Sequence, residues 1–161
     1  MLESQLNERD SLQDAANDLI AVGAAIREAA QRAYPATEWT LVPGSHGGQH
    51  DCGPPFMFLT GSIYELPEYD ASPPASEVDR NAIVTAAADA ARAHHPDRVD
   101  VTPGRSVKVV LPREHGEVDF TIGTPVAPYP AFMSVSGATG CHHAAPGPGP
   151  WDTPATPTPT P

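Results

Sequence analysis

The sequence predicts an α+β domain: an antiparallel β-sheet of about five strands with two helices packed on one face, in the order α-β-β-α-β-β-β, then a disordered C-terminal tail. Three observations predict it. Two stretches, one N-terminal and one mid-chain, repeat apolar residues every three to four positions. Two later segments alternate apolar and polar residues around a short turn. Helices laid on one face of an antiparallel sheet bury all of these stripes at once.

Leu2 to Ala33 reads as one long helix, with Leu12, Ala16, Leu19, Val22 or Gly23, Ile26, Ala30 and Ala33 on one face. Asp14, Asn17, Asp18, Arg27, Glu28 and Gln31 make the solvent face. Ala15, Ala16, Gly23, Ala24, Ala29 and Ala30 are thin, which lets the helix lie close to a sheet. Pro35 stops it, because the residue before a proline is driven out of the helical region. Glu38 to Val42 reads as a strand, followed by a Gly- and Pro-rich loop from Pro43 to Pro55. Phe56 to Tyr64 reads as a second strand with a possible bulge at Gly61, and Tyr69 to Ala75 as a linker. Ser76, with Asp79 three residues on, resembles a weakened capping box. The second helix then runs to about His94, with Val78, Ile83 or Val84, Ala87 and Ala91 facing inward, and Pro96 ends it. Ser106 to Leu111 and Glu117 to Ile122 form a hairpin about Pro112–Gly116, and Ala131 to Ser136 supplies a last strand.

The domain is expected to cover residues 1–143. Residues 144–161 hold seven prolines and four threonines and read as an extended Pro/Thr-rich tail. Trp151 is its one large apolar group, for which two readings stand: folding back onto the domain, which is preferred, or plain exposure.

Composition excludes some partners. The chain has 161 residues, 20 acids and 9 bases, for a formal charge of −11. Nucleic-acid binders concentrate Lys and Arg to displace counterions, so no nucleic acid is expected. Lys108 is the only lysine, which rules out a polybasic membrane patch. No run approaches the roughly twenty apolar residues of a membrane span. Met1-Leu2-Glu3-Ser4-Gln5 lacks the basic start and apolar run of a secretory signal.

Cys52 and Cys141 are the only cysteines. In an exported protein they would close a loop of about ninety residues as a disulfide, adding roughly 4 kcal/mol by loop entropy. In the cytosol they would be free thiols or metal ligands. Histidines flank both: His46 and His50 precede Cys52, and His142 and His143 follow Cys141. Zinc or copper accepts such N/S donors, so these four histidines form an alternative metal set. Against it, the His46-x-x-x-His50 spacing lies in a Gly-rich loop, where nothing holds the rings on one face. Exposed loop histidines are the simpler reading, and neither cofactor nor metal is expected.

Enzyme signatures are thin. There is no G-x-S-x-G elbow, P-loop or H-E-x-x-H. Ser45 and His46 are adjacent, but neighbouring loop side chains rarely meet as nucleophile and base. Glu114-His115 in the hairpin turn, and Glu65, Glu68 and Asp70, read as solvated surface. No catalytic residue is assigned.

The chain resembles the LppA-like lipoproteins of mycobacteria and related actinobacteria. The features that carry the likeness are an Ala-rich amphipathic helix followed by Pro35-x-x-x-Trp39 and the Trp39-Thr40-Leu41-Val42 strand, then Cys52. A second helix follows, then strands leading to Thr139-Gly140-Cys141, and a Pro-rich tail with Pro150-Trp151. The resemblance implies an exported, extracytoplasmic cell-envelope domain, with Cys52 and Cys141 disulfide-bonded. It implies membrane attachment only through an N-terminal lipid anchor, whose lipobox cysteine is absent from this chain. It assigns no catalytic or binding residue. The expected role is a non-enzymatic module binding an envelope protein or a small ligand; the alternatives are a metal-binding module and a phage-type exclusion or immunity lipoprotein.

Overall fold

The computed structural model of the chain describes residues 1–45 and 47–152. Its N-terminal helical stretch is two helices, α1 (Leu2–Asn7) and α2 (Leu12–Ala33), rather than one. Ser11 makes the break: its backbone is extended and its hydroxyl accepts the Asp14 N–H at 3.1 Å. A serine that caps one helix cannot continue another through itself, and the regular apolar stripe begins only beyond it, at Leu12. At the far end Tyr34 is extended ahead of Pro35, as an X-Pro step requires.

The sheet has eight antiparallel strands: β1 (Thr40–Leu41), β2 (Gly48–Asp51), β3 (Ser62–Glu65), β4 (Tyr69–Ala71), β5 (Arg98–Thr102), β6 (Ser106–Leu111), β7 (Gly116–Ile122) and β8 (Met133–Ala138). The main path is β1-β4-β8-β7-β6-β5, while β3 joins β8 by one pair and carries β2 on its other side. Helix α3 (Glu77–Arg92) connects β4 to β5. The α+β class and the hairpin β6–β7 stand as read from the sequence, with three more strands than expected. Strand β2 carries no apolar stripe, β4 is three residues long inside the expected linker, and β5 is an edge strand fenced by Pro96 and Pro103.

Two further expectations are corrected. Of the expected strand Phe56 to Tyr64, only the part from Ser62 is extended; Phe56 and Leu59 close successive turns instead. Their apolar side chains cover the Cys52–Cys141 disulfide together with Leu6 and Ile63. Val78 is 76% exposed. At 100° per residue it lies about 120–140° around α3 from Ile83 and Val84, off the buried stripe.

The main core lies between the helices and one face of the sheet. Leu12, Leu19, Val22 and Ile26 of α2, and Ile83, Val84 and Ala87 of α3, meet Val107, Val109, Val118, Phe120 and Val135. The thin face of α2 has the expected consequence: a Cβ on Gly23 would come within 3.2 Å of Leu66. Gly61 is forced by the disulfide, since a Cβ there would lie 2.6 Å from the Cys141 sulfur and 2.9 Å from Leu6. Beyond Ala144 the described chain stays on the body. The Gln13 amide exchanges two hydrogen bonds of 2.8 Å with the Ala145 backbone. Trp151, in a short 3-10 turn at Pro150–Asp152, packs on the core with its ring 6.3 Å from that of Tyr64. The Thr-Pro repeats from 153 on lie outside the described residues.

Candidate functional site: the open face of the sheet

Strand periodicity sends alternate side chains away from the helices. On the central strands β7 and β8 those residues are Glu117, Asp119 and Thr121, and Ser134, Ser136 and Ala138. Strand β8 is thus floored by small side chains. Register places Glu65 and Glu117 on either side of Ala138, and Asp119 beside Ser136. Glu68 joins them from the Leu66–Glu68 link between β3 and β4. The result is a cleft of about 810 Å³ with Glu65 and Glu68 on one wall, Glu117 and Asp119 on the other, and Ser136 and Ala138 between.

Its charged lining is mostly acidic: Asp97 and Glu114 border it as well, and the one arginine at its edge, Arg113, pairs with Asp10. Lys108 lies across the register from Asp119 but bonds Glu117, Nζ to Oε2 at 3.1 Å. The Glu117 bond, first among its causes, holds the Lys108 ammonium pKa above the usual lysine range. His50 on β2 reaches Glu65 at 3.3 Å. Asp119 has no ion-pair partner among the described residues. Burial pushes its carboxyl pKa above the ordinary value, Lys108 opposes that, and Glu117 adds to it. Burial also raises Asp70, whose Oδ1 is enclosed without a hydrogen-bond partner. A carboxylate kept desolvated without its own cation is one that an incoming positive charge stabilises. Chemically the cleft is suited to holding an ammonium or guanidinium group. Ser45 also lines it, but its Oγ is occupied as acceptor for the Glu68 N–H at 2.6 Å. Glu65, read from the sequence as solvated surface, is exposed, and packing gathers it with Glu68 into one cleft, while Asp70 lies outside it.

The structure disperses the histidine set. His46 lies outside the described residues. His50 is exposed on β2 with Glu65, and His143 stands 3.5 Å from the Thr60 hydroxyl. His142 is fully buried, with Nδ1 2.8 Å from the Asp10 carbonyl and Nε2 2.7 Å from the Glu114 carbonyl. Each ring nitrogen faces a backbone carbonyl oxygen in the interior, so neither is directed at a place that a metal and the other histidines could share. Among the described residues no group of three or more His, Cys, Asp or Glu side chains is arranged to hold a metal ion. Cys52 and Cys141 are joined, with an S–S distance of 1.98 Å and Cα atoms 5.7 Å apart. A disulfide closing most of the domain belongs to an oxidising, extracytoplasmic setting. No helix among the described residues is long and apolar enough to cross a membrane.

His115, like Val78, is placed differently from the sequence reading. It is 3% exposed rather than solvated. Its Nε2 lies 2.7 Å from Asp10 and its Nδ1 2.9 Å from Asp18, and its ring packs edge-on against His142 at 5.9 Å. The hydrogen bond from His115 holds the Asp10 carboxyl below its usual pKa, with burial opposing and Arg113 assisting at 3.4 Å. No local signal marks this cluster, because the partners lie 97 and 105 positions away. Compared with protein families, curated proteins and solved structures, the chain matches none.

Proposed function

We propose that this chain is a non-enzymatic, extracytoplasmic binding domain that takes a cationic segment of a partner on the open face of its sheet. The observation that carries this is the carboxylate-walled cleft, with Asp119 desolvated and without a cation of its own. The helices cover the opposite face, so this is the broad surface that the fold leaves for a ligand. The disulfide supports an exported protein, and the envelope setting with lipid attachment follows the sequence's likeness to LppA-like lipoproteins. A lysine- or arginine-bearing peptide supplies the complementary charge. Electrostatic complementarity of this kind contributes fast, salt-sensitive association.

The test is a titration of the full chain with a pentalysine peptide at low salt, followed by calorimetry or anisotropy. Asp119→Asn and Glu117→Gln are each expected to weaken binding about tenfold, as the loss of one charge-assisted contact would. Asp119→Asn should meanwhile leave the urea midpoint unchanged or raise it, because burial penalises the charge it removes. Equal affinity in wild type and both variants, or no saturable binding at all, would sink the reading.

A further inference from the structure

A second site of opposite sign lies elsewhere on the molecule. The chain has nine Lys and Arg side chains against twenty acids. Five of the nine sit in ion pairs with carboxylates. Arg9 and Arg27 lie over the rings of Phe56 and Tyr69, 4.8 and 3.8 Å from the ring centres. Only Arg80 and Arg105 have neither an acidic nor an aromatic partner among the described residues. Both line one notch of about 270 Å³, between the first turns of α3, the β5–β6 turn and the end of β7.

The notch is built rather than incidental. Arg80 is partly buried; its Nη2 donates to the Ala75 carbonyl at 2.6 Å, while its Nε is enclosed without a partner. Arg105 is exposed at its head, but its base is fixed, since its carbonyl accepts the Ile122 N–H at 2.7 Å. The β5–β6 turn is pressed on α3, where a Cβ on Gly104 would lie 2.8 Å from Asn81 Oδ1. Thr124 adds a hydroxyl to the lining. Glu77 also lines the notch, and its carboxylate makes no ion pair with either arginine. In a protein with surplus carboxylates, cations are ordinarily claimed by them. Two guanidinium groups that line one notch, neither of them ion-paired, outnumber its single carboxylate and favour an anion placed between them. Guanidinium forks match the oxygens of a phosphate or carboxylate in paired, charge-assisted bonds. The start of α3 adds the positive end of a helix dipole as a secondary contribution.

We propose that the Arg80–Arg105 notch is a binding site for a small oxyanion, with phosphate as the favoured class. It is distinct from the carboxylate-walled cleft, since it shares no lining residue with it and carries the opposite charge. The experiment is an amide chemical-shift titration of the isotope-labelled full chain with inorganic phosphate, with sodium chloride as the ionic-strength control and sodium acetate as a carboxylate arm. The expected result is saturable shifts centred on Gly104, Arg105, Gly123 and Thr124 with phosphate. Arg105→Gln should weaken them about tenfold or more. Arg80→Gln should do likewise, but it also removes the bond to Ala75; Arg105→Gln, at an exposed head group, is therefore the deciding variant. A weaker saturable response to acetate supports a phosphate-preferring oxyanion site. Shifts that chloride reproduces at equal ionic strength, or a phosphate response unchanged in Arg105→Gln, overturn the proposal.

Discussion

His115 holds two carboxylates, Asp10 before α2 and Asp18 within it, against the turn of the β6–β7 hairpin. Beside it, His142 ties the Asp10 and Glu114 carbonyls together. Removing the imidazole leaves both acids facing one another around a hole. His115→Ala should therefore cost about 2 kcal/mol in urea unfolding near neutral pH, below the full penalty for a buried pair because both acids are partly exposed. The pH dependence has a definite sign. The folded Asp10 pKa is lowered, chiefly by the His115 bond. Its contribution is thus present above the ordinary carboxylate pKa and is lost as pH falls through the folded value. The gap between wild type and His115→Ala should narrow below about pH 4; a gap constant down to that range would refute the assignment. Nothing in Glu114-His115-Gly116 as a string distinguishes this residue from an exposed turn histidine. Its burial follows from where α2 lies on the hairpin.

Among the elements, α1 is the most dependent on its neighbours. Six residues cannot hold a helix in water, where isolated helices need about 12–15 residues to be even marginal. Its one buried side chain, Leu6, lies on the disulfide with Phe56, and Arg9, just beyond its end, donates to the Cys141 carbonyl at 2.9 Å. Reduction, or Cys52→Ser, should release α1 first, seen as faster amide exchange at Gln5 and Leu6 while α2 stays protected. Global stability should fall by up to about 4 kcal/mol. Protection of Gln5 and Leu6 that survives reduction would show that α1 is held by something else. The elements legible from sequence were those with a full local signal. The β6–β7 hairpin shows period two, and α3 shows its Ser76 cap, whose hydroxyl accepts the Asp79 N–H at 3.3 Å. Strands β2 and β4 escaped because polar or very short strands carry no stripe. The Phe56–Leu59 segment misled because residues that cover a disulfide are as apolar as those of a strand.

At the scale of the whole molecule, the charge of −11 acts against compaction as well as toward partners. Salt screens over about 10 Å at 0.1 M. Raising NaCl from about 10 to about 150 mM should therefore raise the thermal midpoint while weakening pentalysine binding. A midpoint that falls would mean that exposed pairs such as Arg32–Glu28 and Arg98–Asp100 outweigh the general repulsion. By itself the sequence determined the helical stripes of α2 and α3, the stop at Pro35, the β6–β7 hairpin, the α+β class and the acidic balance. Each of these depends on residues within a turn, a strand or a tally. Only the tertiary structure decided that Glu65, Glu68, Glu117 and Asp119 share a cleft, that Arg80 and Arg105 line one notch, and that His115 and His142 are interior. Those groupings join residues from separate elements, and the register and packing that bring them together leave no periodic trace in the chain.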